Sequence, residues 1–331
     1  MTHPETIGVI GAGAWGTALA QMLSTDGRDV VIWAYETEVA DAINTTHQNP
    51  TYLKGIALSK TVRATDQLAD LVELDTLLCV TPAQALGRVL KSLSRAPRDL
   101  VLCSKGIEAG TGRLMNKVAR AECPTSDIAV LSGPTFAHEV AKGLPTAVTL
   151  ACAGGVNQWE RISPAIARPA FRPYYSDDVS GAEIGGAVKN VLAIACGLVE
   201  GLGLGQNARA ALIARGYAEM ERFGIALGAR KETLAGLCGM GDLVLTCSST
   251  SSRNFSLGKA LGEGGSASNL MTDRTTVAEG AHTAPVLAEL AEDHGIAMPI
   301  VQAVHAILKG ENPRYAVASL LARPLKAESG R

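Results

Sequence analysis

A chain of 331 residues is longer than one hydrophobic core usually supports, so two domains are expected. Hydrophobic residues make up 47% and charged residues 19%, a balance that suits a compact globular protein and argues against extended disorder. A formal net charge of −2 without any basic block removes the electrostatic case for nucleic acid or an anionic membrane as partner.

The opening stretch MTHPETIGVIG has no cationic segment ahead of its apolar residues, so no signal peptide is expected. Unbroken apolar runs fall short of the roughly 18 residues that suggest a membrane span. The seven cysteines are scattered, and none forms a C-x-x-C pair. An odd, unpatterned set fits a reducing compartment, so a cytoplasmic protein without a metal is the expectation.

In chain order, TIGVI (6–10), DVVIW (29–33), TLLCV (76–80), LVLCS (100–104), IAVLS (128–132) and TAVTLA (146–151) read as strands. Most are apolar without alternation, as in strands covered on both faces of a parallel sheet. Helical patterns lie between them at Trp15–Leu23, Glu36–Ile43, Gln84–Leu93 and Arg113–Ala121. The alternation predicts an α/β Rossmann-type doubly wound sheet. After the strand-like FRPYYS (171–176) the pattern turns helical, broken by the Gly-rich turns GLGLGQN (201–207) and GLCGMGD (236–242). The expected division is therefore a nucleotide-binding domain over 1–177 and a mostly α-helical C-terminal domain over 178–331.

The first strand runs into Gly11-Ala12-Gly13-Ala14-Trp15-Gly16 and then a helix. G-x-G-x-x-G alone is a weak signal, but after a strand and opening a helix it has the context a dinucleotide site requires. Gly11 allows the tight turn, Gly13 lets the backbone approach a pyrophosphate, and Gly16 lets helix pack on sheet. The second strand ends Trp33-Ala34-Tyr35-Glu36. An acid there favours the ribose hydroxyls of NAD, whereas an Arg would accept the phosphate of NADP. Glu36 also opens a helix, where an acid needs no further reason. The balance leans to NAD, with NADP left open.

Lys105 and Gly106 follow a strand directly, in the region where open α/β sheets bind ligands. Lys105 is either an anion or carbonyl partner or a solvated loop lysine. SGPTFAHEVAKG (132–143) repeats the strand-to-turn geometry; His138 there reads as a surface residue.

Three features mark the helical half. In GGAVKNVLAIACG (185–197) a helix is apolar all round, which is the pattern of a buried one, yet it carries Lys189 and Asn190. Lys189 either snorkels to a surface or enters a cavity, where desolvation lowers its pKa into the useful range of an acid–base catalyst. Asp242 in GMGD is either a helix cap or the partner of that lysine. In SSRNFSLG, Arg253 stands in the first turn of a helix, where the dipole disfavours a cation unless an anion joins it; phosphate is the favoured candidate over a plain surface turn.

Taken together, GAGAWGTALA, CSKGIE, LSGPTFAHEV, AVKNVLAI, GDL followed by a Thr, and SSRNF resemble, in order, the NAD(P)-dependent glycerol-3-phosphate dehydrogenase family of the bacterial soluble type. The resemblance runs from residue 7 to about 310. It implies reversible reduction of dihydroxyacetone phosphate to sn-glycerol 3-phosphate for phospholipid synthesis, with NAD(P)H as cofactor. Lys189 resembles the family's acid–base. Lys105, Gly133, Thr135, Asn190, Asp242, Ser252, Arg253 and Asn254 match its substrate positions. Gly11, Gly13, Ala14, Trp15, Gly16, Tyr35, Lys105, Ala137, Arg253, Val277 and Glu279 match its cofactor positions. The family often has Ser and an aromatic where this chain has Ala14-Trp15, and His or Arg where it has Tyr35, which puts strict NADP use in doubt. A 3-hydroxyacyl-CoA or 2-ketoacid reductase of similar architecture, or a nicotinamide sensor without activity, would not need the Ser-Arg-Asn group together with Lys189 and Asp242. A homodimer is expected from the apolar content, with no interface identified.

Overall fold

The computed structural model describes residues 7–270 and 278–324. Its first part is built on eight strands: β1 (Ile7–Ile10), β2 (Val30–Trp33), β3 (Val62–Thr65), β4 (Thr76–Cys79), β5 (Asp99–Leu102), β6 (Asp127–Ser132), β7 (Thr146–Cys152) and β8 (Phe171–Ser176). They form one sheet in the order β3-β2-β1-β4-β5-β6-β7-β8. The order reverses between β1 and β4, which opens the crevice where doubly wound sheets bind ligands. Every residue of β1, β4 and β5 is buried, because helices cover both faces. These helices are α1 (Ala14–Leu23), α2 (Thr37–Thr46), α3 (Leu86–Lys91), α4 (Met115–Glu122), α5 (Ala137–Ala141) and α6 (Gly155–Ile166).

Three features of the sheet and its helices depart from the sequence reading. β3 was not expected: it is a four-residue edge strand with Arg63 exposed, too short and polar to stand out. β7 runs antiparallel to β6, and β8 parallel to β7, so the sheet is mixed rather than parallel. A strand buried on both faces looks the same in either direction. Helix α6 was also missed, since it follows two glycines and contains Pro164, both ordinarily helix breakers.

From Val179 onward the described elements are helical: α7 (Val179–Gly201), α8 (Gly205–Ala226), α9 (Lys231–Ala235), a π-helical turn (Leu237–Gly241), α10 (Asp242–Thr246), α11 (Arg253–Gly262), α12 (Ala267–Leu270), α13 (Glu279–Asp293), α14 (Pro299–Leu308) and α15 (Pro313–Leu321). Asp178 caps α7 by accepting from the Gly181 amide at 2.8 Å. All residues of α7 from Gly181 to Val199 are buried. The helix is long and apolar enough to cross a membrane, but its apolar stretch is buried inside the protein.

The glycines explain how α7 is surrounded. A Cβ at Gly197 would run into the Phe255 carbonyl, and one at Gly258 into the Ile194 carbonyl, so α7 and α11 cross backbone to backbone. This contact seats the N-terminus of α11 beside Asn190. The stretch 236–242, expected to be a turn, is instead the helical path through the π turn into α10. A Cβ at Gly185 would collide with the Cys238 carbonyl. The glycines there serve close packing against α7 rather than chain reversal.

Candidate active site

The glycine loop lies at the C-terminal end of β1. Gly11 has φ +114°, a conformation that disfavours side chains, and a Cβ on Gly16 would strike the Gly11 carbonyl. Gly13, the residue preceding α1, has nothing within 4 Å of where its Cβ would sit. Free amides, a helix N-terminus and open space over Gly13 fit a dinucleotide pyrophosphate. Ala14 and Trp15 form the first turn of α1, and the Trp15 indole nitrogen is buried without a partner among the described residues.

Asn49, wholly buried, fixes this loop by donating to the Ala12 carbonyl and the Thr17 hydroxyl, both at 2.8 Å. Its own carbonyl oxygen accepts from the Tyr52 amide at 3.0 Å. The Tyr52 hydroxyl in turn donates to Glu36 Oε1 at 2.8 Å. Glu36, the residue preceding α2, is therefore held at the end of β2, beside Tyr35, which is 77% exposed and packs edge-on against Trp33. Neither Asn49 nor Tyr52 was anticipated. Both lie in HQNPTYLKG, whose polar, turn-rich composition hides that Asn49 is completely buried.

The centre of the site is a carboxylate shared by two lysines. Asp242, wholly buried at the start of α10, accepts from Lys105 Nζ at 2.6 Å through one oxygen and from Lys189 Nζ at 2.7 Å through the other. Lys189 also donates to the Thr246 hydroxyl at 2.9 Å. That hydroxyl donates to Asp242 Oδ1 at 3.1 Å. Snorkelling is thereby excluded for Lys189, and so is a capping role for the Asp242 side chain. Thr246 was missed, because its only signal is its place one turn beyond Asp242.

Lys105 also donates to the Gly133 carbonyl at 3.4 Å, which brings the end of β6 into the group. Thr135 donates to the same carbonyl at 3.3 Å. Ala137 begins α5, close behind. On the other side, the Asn254 side-chain nitrogen donates to Asn190 Oδ1 at 3.0 Å, and its Oδ1 accepts from the Gly280 amide at 2.9 Å. Ser252 caps α11 by accepting from the Phe255 amide at 3.3 Å, which leaves its hydroxyl hydrogen free to donate. Arg253 is exposed and forms no hydrogen bond or ion pair among the described residues. Its charge lowers the pKa of both Tyr52 and Glu279, each of which burial raises. Glu279 opens α13, within the field of Lys105, Lys189 and Arg253. Val277 lies outside the described residues.

The electrostatics follow from burial. Lys189 is pushed down to about 8: loss of water outweighs the attraction of Asp242, and the charge of Lys105 adds to the fall. Burial would raise Asp242, but the two lysines overcome it and hold the carboxyl below its ordinary value. Burial pushes Glu279 up to about 7 against the pull of Lys105, Lys189 and Arg253. Two ammonium groups share one carboxylate, so the ionised Lys105–Asp242–Lys189 group carries one net positive charge. Such a site favours an anionic ligand that carries an oxygen within reach of Lys189.

Comparisons with known proteins identify the family. Residues 6–157 match the family model for the NAD-dependent glycerol-3-phosphate dehydrogenase N-terminus, and residues 178–318 that for the C-terminus. A glycerol-3-phosphate dehydrogenase (NAD(P)+) from Erythrobacter litoralis is 72% identical, with 97% of each chain covered. Its counterpart from Novosphingobium aromaticivorans is 69% identical, with 98% of each covered. The crystal structure of the glycerol-3-phosphate dehydrogenase of Coxiella burnetii superposes with a TM-score of 0.91 at 40% identity, covering 96% of this chain and 99% of that one. The chain belongs to the NAD-dependent glycerol-3-phosphate dehydrogenase family.

Proposed function

We propose that the protein interconverts dihydroxyacetone phosphate and sn-glycerol 3-phosphate with NAD(H) or NADP(H), using Lys189 as its acid–base. The observation that carries the role of Lys189 is its burial against Asp242, with an amine pKa near 8. When bound, the nicotinamide supplies or accepts the hydride at C2. Lys189 gives a proton to the C2 oxygen during reduction and takes it back during oxidation. Asp242 orients the Lys189 ammonium and limits how far its pKa falls. Lys105, tethered to the same carboxylate, balances developing negative charge on the substrate oxygen.

In this reading, Arg253 and the first turn of α11 hold the substrate phosphate, together with Asn190, Asn254 and the Ser252 hydroxyl hydrogen. Gly133 and Thr135 line the substrate's other side. Gly11 to Gly16, Tyr35, Ala137, Arg253, Val277 and Glu279 face the cofactor. Residues 1–177 then bring the dinucleotide and residues 178–331 the substrate, meeting where Lys105 reaches Asp242. A cytoplasmic homodimer is part of the same reading. Its support is seven unpaired, buried thiols and the chain's apolar content.

The test is direct: mix the protein with NADH or NADPH and dihydroxyacetone phosphate and follow nicotinamide absorbance. Turnover with at least one cofactor is expected; none with either overturns the reading.

A further inference from the structure

Glu183 is a buried carboxylate that the chemistry above does not use. It is 5% exposed and forms no ion pair among the described residues; burial pushes its carboxyl up to about 8 against the pull of the Asn116 hydrogen bonds and the charge of Lys117. One oxygen accepts from the Asn116 amide at 2.7 Å, and the other from the Asn116 side-chain nitrogen. Asn116 is the second residue of α4, whose N-terminus has no side-chain cap of its own. Glu183 therefore supplies that cap from another helix.

The contact bears on the lysine pair through the path of the chain. Beyond Lys105, Ile107 bridges to Leu114, and the Glu108 amide donates to the Arg113 carbonyl at 2.9 Å. Residues 107–114 are thus a closed loop between Lys105 and α4, so restraint at Asn116 is passed back to Lys105. On α7, Glu183, Gly186 and Lys189 follow one another at three-residue steps, a row that winds roughly 120° around the helix from Glu183 to Lys189. A Cβ at Gly186 would lie 3.3 Å from Lys105 Cγ and 3.4 Å from its Cδ, so the lysine stem crosses the helix there. This winding row thus grips the loop at Glu183, seats the Lys105 stem at Gly186, and meets its ammonium at Lys189 through Asp242.

We propose that Glu183 is a positioning residue: by fastening the Lys105 loop to α7, it keeps Lys105 and Lys189 on one carboxylate. The inference rests on the roles given above to the two lysines.

The groups facing Lys189 are Asp242, Thr246 and Cys247 from α10 and its end, Lys105 from the sheet side, and Glu279 from α13. Lys105 lowers the pKa of Lys189, so its withdrawal lets that pKa rise. The experiment compares Glu183→Ala, Glu183→Gln and Asn116→Ala with wild type. It reads KM for dihydroxyacetone phosphate, the alkaline limb of the reduction, and the Kd of NADH from fluorescence. E183A should raise KM about tenfold, move the limb upward by on the order of half a pH unit, and leave the NADH Kd unchanged. E183Q keeps an acceptor for the Asn116 amide and should restore both values. N116A keeps the backbone bond and should shift them less, in the same direction; it serves if E183A does not fold.

Wild-type KM and limb in a folded E183A, or in N116A where E183A is unfolded, overturns the proposal. So does an E183Q that reproduces the alanine shifts, because the charge and not the tether would then be acting. A wild type without turnover removes the functional reading itself, whereas an active wild type with unmoved variants removes only the role of Glu183.

Discussion

Lys189 and Lys105 hold opposite oxygens of the Asp242 carboxylate, at 2.7 and 2.6 Å, although Lys105 leaves a strand end and Lys189 lies inside a buried helix. The pair joins the sheet to the helical half through one side chain. Each part of this arrangement has a measurable consequence.

Lys189→Ala removes the proposed proton donor and leaves Asp242 paired with Lys105 alone. Loss of general acid–base catalysis is expected to lower kcat by about 10²–10⁴-fold. The NADH Kd should stay near wild type, because the glycine loop is built by β1 and α1. Steady-state turnover together with fluorescence binding checks both halves; near-normal turnover would remove Lys189 from its role.

The pH dependence should run oppositely in the two directions. In the proposed mechanism reduction needs protonated Lys189, so its rate is expected to fall as pH rises through about 8. Oxidation needs the neutral amine and should rise through the same region. The kcat/KM profiles for both directions test this, and limbs of the same sign would contradict it.

Asp242→Asn leaves two ammonium groups facing each other without a carboxylate. Asp242 raises the pKa of Lys189, so its loss should move the reduction limb below about 8. Breaking a buried pair should also cost about 3–5 kcal/mol of stability, visible as a lower midpoint in urea. An unchanged midpoint and limb would show that the bridge is not the organising contact.

Arg253→Ala should chiefly affect the phosphorylated substrate. A charge-assisted hydrogen bond of about 1.5–3 kcal/mol corresponds to a rise in KM of roughly 10–150-fold. Arg253 is exposed and forms no hydrogen bond among the described residues, so Tm should hardly change. A normal KM would place the phosphate elsewhere.

Gly258→Ala tests the seat of α11. The added methyl meets the Ile194 carbonyl, so overpacking should cost about 1–3 kcal/mol. It should also raise KM by displacing Asn254 from Asn190. Thermal unfolding and substrate titration read the two effects separately.

Local pattern alone made several elements legible. β8 falls on the predicted residues 171–176, and the glycine loop was readable because a strand, three spaced glycines and a helix are adjacent in the chain. Burial of the apolar helix was legible too, since it has no polar face to offer water. β3 and the reversal of β7 were not, because an edge strand is specified by its neighbour and a doubly buried strand carries no sign of direction. Nor could the residues near Lys189 reveal its state. Its partners lie 53 and 57 positions along the chain, and they meet it only because the glycines of α7 admit the π turn and the Lys105 stem. Sequence supplied the ammonium, the carboxylate and the apolar surroundings. Tertiary structure decided that burial outweighs the ion pair, and so places the lysine near 8, because desolvation depends on what closes around a group rather than on its neighbours in the chain.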